Sequence, residues 1–294
     1  MLMSRRDFVK QAAIATVAAP ALSRAQSPPA APLPLRVGMT DWNLGRRGDV
    51  TRIALARQIG LDGIQVSLTF PTDDSPHLRD RKTQTAFKHA AIEHGIQICS
   101  LAIGSPGKSR LPLHANPAAA ILLVEAVEVA RNIGTTNILL PILGDSHIHM
   151  ENQQEVDTFV TMMKEVARYA ESAGVVVALE DWISATDNLR LLDAIGSDFV
   201  GVYYDAHNIK SKVHDPYGEP KLLGKRIHQV HVKNGQKLMR EPGILDWPRL
   251  AQEFYEIDYR GWYVRETEAP SKDLIADTRA NIEYVRKTFK MPPA

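Results

Sequence analysis

Four side chains able to hold a metal ion or move a proton recur through the second half of this sequence. They are Glu180 in Val-Ala-Leu-Glu-Asp, Asp205 in Val-Tyr-Tyr-Asp, His231 in Gln-Val-His-Val-Lys and Glu266 in Tyr-Val-Arg-Glu. Their successive separations are 25, 26 and 35 residues, and each closes a short apolar run. Three carboxylates and one imidazole form a hard, mostly oxygen donor set. That set suits one divalent ion, Mn²⁺ first, with Mg²⁺, Zn²⁺ or Co²⁺ as alternatives, and leaves positions for two substrate oxygens. A single acid at the end of an apolar run is usually a helix cap or a loop salt bridge. Four in register are harder to read that way, because burying them without a cation leaves repelling carboxylates and a large desolvation cost.

Elements of one kind must carry these residues to a common point. Short β-rich runs lie at Leu35–Met39, Gly63–Leu68, Ile96–Ala102, Asn137–Leu143, Val175–Glu180, Val200–Asp205, Ile227–Val232 and Trp262–Glu266. Each reads as a strand buried on both faces. Helical patterns lie between them. One starts at Asn116-Pro117, a cap residue followed by Pro at the first helical position, and continues through Ile121, Val124, Val127 and Ile133. Another covers Gln153–Ser172, with Val156, Phe159, Val160, Met163, Val166 and Ala167 at helical spacing. Gly60, Gly95, Gly134, Gly174 and Gly196 each stand between a helix and the next strand, where a left-handed cap is wanted. Strand–helix alternation means a parallel sheet. Eight units over residues 35–290 predict a single-domain α/β fold, a (β/α)₈ TIM barrel, with its chemistry at the C-terminal ends of the strands. The alternative, an open doubly wound sheet binding a dinucleotide, lacks its glycine-rich turn: Gly45 and Gly48 follow the first strand without a third glycine.

The first 25 residues stand apart from this pattern. Arg5-Arg6 with Phe8 and Lys10, an uncharged alanine-rich stretch from Gln11 to Leu22, and Ser23-Arg24-Ala25 follow the order of a twin-arginine (Tat) signal peptide cleaved after Ala25. The expected partner is the Tat export machinery and the expected location periplasmic or secreted; the apolar run is too short for a stable membrane anchor. Residues 26–34, rich in Pro and Ala, read as a linker. Removing the signal takes away Arg5, Arg6, Lys10 and Arg24 with Asp7, three net positive charges, so the formal charge moves from +1 to −2. A near-neutral chain has no electrostatic footprint for nucleic acid. The one cysteine, Cys99, cannot form an internal disulfide and reads as a small core residue. The oligomeric state stays open, a homo-oligomer included.

Several stretches make the pattern more specific. Gly60-Leu-Asp-Gly-Ile-Gln-Val, Gly201-Val-Tyr-Tyr-Asp-Ala-His-Asn, Lys225-Arg-Ile-His-Gln-Val-His-Val-Lys, Leu245-Asp-Trp and Tyr259-Arg-Gly-Trp-Tyr-Val-Arg-Glu together resemble the xylose isomerase-like TIM-barrel superfamily, close to its sugar phosphate isomerases/epimerases and hydroxypyruvate isomerases. The resemblance implies that Glu180, Asp205, His231 and Glu266 ligate the metal, and that Glu180 and Glu266 exchange protons with the substrate. It departs at Gln65, where Glu is frequent, at Asn234, where Asp is common, and at Asn208, which stands where a substrate-contacting His is usual, with His207 one position earlier.

Chemically, an ion chelating a carbonyl and a neighbouring hydroxyl stabilises an enediolate. Two glutamates flanking the substrate then remove a proton and return it, to the opposite face or to the next carbon. The expected function is a metal-dependent isomerase or epimerase of a keto-sugar or related polyol. A lyase or dehydratase on a keto-sugar or 3-keto-glycoside is the close alternative, and a non-catalytic periplasmic sugar-binding protein the alternative from another class. Substrate contacts are expected from His207, Asn208 and Lys233, with Trp42 and Trp182 as walls for a carbohydrate; Lys233 as an outward strand residue and the tryptophans as plain packing are the competing readings. His147 and His149 read as a solvated loop, Arg226 and His228 as scaffold. A DNA-repair endonuclease of the same superfamily would need more histidines, and a phosphate-cradling turn after strands seven or eight is absent from the sequence.

Overall fold

The computed structural model describes residues 34–69, 77–103, 116 and 119–292. The signal segment 1–25, the linker apart from Pro34, and Pro117 lie outside these residues. Within them the expected architecture is present. Eight strands, β1 (Arg36–Thr40), β2 (Gly63–Leu68), β3 (Gln97–Ile103), β4 (Asn137–Ile142), β5 (Val176–Asp181), β6 (Val200–Tyr204), β7 (Ile227–Val232) and β8 (Trp262–Arg265), form a closed barrel in chain order. All pairs are parallel, and β1 closes the ring on β8 with Arg36 opposite Trp262 and Met39 opposite Arg265. Among the described residues no helix is long and apolar enough to cross a membrane.

Helices return the chain between strands: α1 (Thr51–Ile59), α2 (Arg81–His94), α3 (Ala119–Ile133), α4 (Gln153–Ala173), α5 (Ala185–Ile195), α6 (Ala206–Lys212), α7 (Glu219–Leu223), α8 (Trp247–Glu256) and α9 (Leu274–Thr288). The five predicted glycine exits all have positive φ, from 61° at Gly95 to 100° at Gly60, a backbone state that side chains bearing a Cβ seldom adopt. Each lets a helix end and the chain reverse into the next strand.

Three strand ends differ from expectation at the residues that matter. β5 continues one residue past Glu180, whereas β6 stops at Tyr204 and β8 at Arg265. Asp205 leaves the strand because its side chain caps α6, accepting the Asn208 N–H at 2.9 Å. Glu266 lies just past β8, its N–H still bonded to the Val232 carbonyl at 3.3 Å.

The core has two parts. Large aliphatic and aromatic residues fill the layer between barrel and helices, among them Ile53, Phe87, Phe159, Leu192 and Phe254. The barrel interior is narrower and holds Cys99, Ala102, Leu139, Ala178, Tyr203, Trp262 and Val264. Cys99 is the core residue the sequence predicts: it is free and buried, and burial pushes its thiol up to about 12.

Among the described strand pairings, register shifts occur at two places, between Ile64 and Gln65 against β3 and between Val202 and Tyr203 against β7. At the second, the extra residue on β7 is His228, whose ring lies against Gly201. A Cβ at Gly201 would stand 2.2 Å from His228 Cδ2 and 2.7 Å from the Arg226 carbonyl oxygen. Because that carbonyl is backbone, in the turn leading into β7, and cannot move aside as a side chain can, Gly201→Ala should destabilise the fold by about 1–3 kcal/mol, the usual cost of overpacking. Thermal unfolding should show it as a drop of roughly 2–4 °C per kcal/mol.

Candidate metal centre

The four predicted residues meet at the C-terminal mouth of the barrel. One ligand atom from each of Glu180, Asp205, His231 and Glu266 lies within 4.8 Å of the others. His231 Nδ1 is the hub, 3.1 Å from Glu180 Oε1, 3.6 Å from Asp205 Oδ2 and 3.5 Å from Glu266 Oε2. Glu180, Asp205 and His231 are buried, while Glu266 is partly open to the mouth. They converge because β5, β6, β7 and β8 are neighbours in the ring, and one β/α unit of chain separates each from the next.

Charge dominates this cluster. Burial alone would lower the pKa of His231, but the charges of Glu266 and Glu180 and the nearby Asp205 carboxylate outweigh it and push it up to about 10. Burial raises Glu180, opposed by His231 and reinforced by Glu266. Burial also works to raise Asp205, but Lys233 and His231 overcome it and hold that carboxyl well below the usual range. The Lys233 ammonium lies 2.6 Å from Asp205 Oδ2 and 2.8 Å from Glu266 Oε2. Despite burial, those two carboxylates hold it above the ordinary lysine range. Lys233 therefore points inward with His231, two residues earlier on the same strand parity.

A divalent cation fits the donor set. Asp205 Oδ2 is buried and accepts no hydrogen bond: the nearby ammonium offers an ion pair without hydrogen-bond geometry. Three carboxylates, one ammonium and a divalent ion close to zero net charge, the condition under which ionised groups are tolerated in a barrel interior. The described residues contain no other group of three or more His, Cys, Asp or Glu with metal-ligand spacing.

The residues expected around the quartet occupy different places. Asn208 donates from Nδ2 to Glu180 Oε1 at 3.1 Å, so it orients one carboxylate of the quartet. Trp42 donates from Nε1 to Glu266 Oε1 at 3.3 Å, and the Arg47 guanidinium lies 4.6 Å from its ring centroid. His207 is half-buried beside Gly235, and burial holds its pKa down. Trp182 packs 6.2 Å from the His147 ring, with Lys212 Nζ at 5.5 Å on its face. His149 is exposed and tied to Glu155 at 3.0 Å, in the loop between β4 and α4. Arg226 pairs with Asp193 at 2.9 Å, and His228 packs under Gly201.

Three residues outside the predicted set support the site. Gln65 accepts at Oε1 from His231 Nε2 at 3.1 Å and donates from Nε2 to the Tyr203 hydroxyl at 3.2 Å. The Tyr203 ring packs 4.4 Å from the His231 ring. Asp41, just past β1, accepts from the backbone of Gly48 and from the backbone and hydroxyl of Ser67, tying the first loop to β2. The available signal for all three was a polar residue within or beside an otherwise apolar strand.

Burial raises Asp41 from 3.8 to about 6, against the lowering effect of its hydrogen bonds to Ser67 and Gly48 and of the Arg47 charge. A carboxyl that binds its proton more tightly when folded contributes stability fully present below pH 3.8 and lost as pH rises through about 6. Two pKa units correspond to about 3 kcal/mol. Wild type should lose up to that much stability relative to Asp41→Asn between pH 4 and pH 7, as read by urea denaturation at each pH.

Fold and site together define a (β/α)₈ barrel with a buried three-carboxylate, one-imidazole centre at the mouth where such barrels carry their chemistry. The chain belongs to the xylose isomerase-like TIM barrel family, whose model matches residues 53–288. The fold is similar to that of 3-keto-D-glucoside 4-epimerase from E. coli, with TM-score 0.70 and 14% identity over 86% of this chain and 99% of that one. It is also similar to a xylose isomerase domain protein from Planctomyces limnophilus (TM-score 0.71, 18% identity, 88% and 98% covered). A third similar structure is D-psicose 3-epimerase from Clostridium cellulolyticum H10 with D-tagatose (TM-score 0.70, 15% identity, 87% and 100% covered). No curated protein matches the sequence at a significant level.

Proposed function

We propose that this protein is a metal-dependent isomerase or epimerase of a keto-sugar or related polyol, with Glu180 and Glu266 as its acid/base pair. The convergence of the quartet within 4.8 Å at the open end of the barrel carries this reading. Bound there, a divalent ion, Mn²⁺ in the first instance, supplies charge stabilisation to substrate oxygens as an α-proton leaves. Glu180, Asp205, His231 and Glu266 would hold it.

The protein's own residues supply the rest. Glu180 approaches from β5 and Glu266 from the end of β8, so the two carboxylates bound the space above His231 from different sides. Asn208 fixes the first, and Trp42 with Lys233 fixes the second. Burial raises Glu180, which favours its protonated form between the two transfers of an epimerisation. His207 and the Trp42 and Trp182 rings are the groups we assign to sugar recognition. The family match and the similarity to sugar epimerases support the same reaction class.

Incubation with Mn²⁺ in D₂O tests this reading across a panel of ketoses and 3-keto-glycosides. Deuterium entering the carbon next to the carbonyl, with the epimer or isomer as product, is the expected result. Binding without any exchange would make the protein a sugar-binding barrel instead. We also propose export through the twin-arginine route, supported by the order of segments in residues 1–25. Protein recovered from the periplasm should then begin at Gln26 on N-terminal sequencing.

A further inference from the structure

The barrel keeps a regular parallel register except at two places among the described pairings, and both coincide with polar residues behind the metal centre. Where β2 meets β3, Ile64 pairs with Ile98 but Gln65 pairs with Ser100, so Cys99 is an extra residue. Where β6 meets β7, Val202 pairs with Ile227 but Tyr203 pairs with Gln229, so His228 is extra. Irregularities of this kind re-aim side chains and occur beside functional sites. Here the residues that follow the shifts on the partner strands, 138 positions apart in sequence, meet: Gln65 Nε2 donates to the Tyr203 hydroxyl at 3.2 Å. Both are essentially inaccessible to solvent.

Their meeting constrains a third residue. Because the Gln65 amide nitrogen is committed to Tyr203, its carbonyl oxygen faces His231 Nε2 at 3.1 Å. A carbonyl can only accept, so it selects the ring with its proton on Nε2. With an ion bound, the other nitrogen, Nδ1, would carry the lone pair, and Nδ1 is the atom that faces Glu180, Asp205 and Glu266. Tyr203 also packs its ring 4.4 Å from the imidazole, limiting rotation.

We propose that Gln65, oriented by Tyr203, is a positioning residue that fixes the proton of His231 on Nε2 and thereby makes Nδ1 the ligating nitrogen. The inference rests on the metal-site reading above. Outer partners of ligating histidines of this kind change metal affinity by about 10–100-fold when removed.

The test is metal affinity by calorimetry on the purified protein, with Zn²⁺ and Mn²⁺, together with ¹⁵N chemical shifts of His231 in the Zn²⁺-loaded state. Wild type should bind one ion and show an Nε2–H imidazole. Wild type that binds no ion would end the metal-site reading itself, and the inference with it. Given wild-type binding, Gln65→Leu should lose affinity by about 10–100-fold, and Gln65→Glu, which can still accept from Nε2–H, should stay close to wild type. Tyr203→Phe keeps the ring on His231 but frees the amide to flip, and should fall between them. It also serves as the readout should Gln65→Leu fail to fold. Unchanged affinity in folded Gln65→Leu or, failing that, in Tyr203→Phe would overturn the inference, as would a wild-type His231 protonated on Nδ1.

Discussion

Glu180→Gln should abolish deuterium entry from one epimer of the substrate and Glu266→Gln from the other, with turnover lowered by about 10²–10⁴-fold in each. The asymmetry follows from geometry. The two carboxylates reach the space above His231 from β5 and from the end of β8; in the proposed reaction each addresses a different face of a carbon held between them. Glutamine keeps an oxygen in the same place but cannot take up a proton. At Mn²⁺ concentrations that keep the weakened site occupied, each variant should therefore lose proton transfer on its own side while the opposite glutamate still exchanges its face. The partners of the lost groups survive too: Asn208 can still donate to the side-chain oxygen at 180, and Trp42 to that at 266. Mass spectrometry of each epimer recovered from D₂O reads the outcome. Loss of exchange from both epimers in one variant, with the other variant unaltered, would mean a single base. Exchange unaltered in either variant would remove that glutamate from the chemistry.

The second large effect concerns Asp205. Asp205→Asn should reduce divalent-ion affinity by more than the roughly 10–100-fold lost with an outer partner and abolish exchange, while keeping the α6 cap. Two functions are separated in this residue. Oδ1 caps α6 through the Asn208 N–H, and asparagine is an equally good cap. Oδ2 faces His231 and Lys233, and its charge is what an ion would lose. Chelation of wild type should have the same consequence as the substitution. With the ion at about 100 times its dissociation constant, the folded state gains about 2.7 kcal/mol. That gain corresponds to roughly 5–10 °C in melting temperature for a chain of this size. It should vanish with EDTA, return with Mn²⁺, and be missing in Asp205→Asn. An equal rise in melting temperature for the variant would show that the ion binds elsewhere.

Much of the barrel was legible in the sequence because its signals are local. Apolar runs of strand length, helical periodicity and a glycine at five helix exits each depend on residues a few positions apart. Repeated eight times, they leave few ways to fold other than a closed parallel ring. The quartet was legible for a related reason: in this architecture the strand ends share one rim, so spacing of one unit in sequence becomes proximity in space. What remained ambiguous was whether an acid there was a cap or a ligand. Asp205 has one oxygen on the helix N-terminus and the other in the cluster.

The tertiary structure alone decided what surrounds those four residues. Period-2 alternation put Lys233 on the inner face as readily as the outer one, and only the closed barrel brings its ammonium between Asp205 and Glu266. Asn208 and Trp42 donate to Glu180 and Glu266, contacts between residues 28 and 224 positions apart that no local pattern announces. Gln65 reads in sequence as a polar residue in a buried strand. Its contact with His231, 166 positions away, depends on a register shift that no local pattern encodes. Sequence determined which residues reach the mouth of the barrel, because periodicity is a property of neighbours along the chain. Which hydrogen bond each one makes there was settled by long-range register and charge.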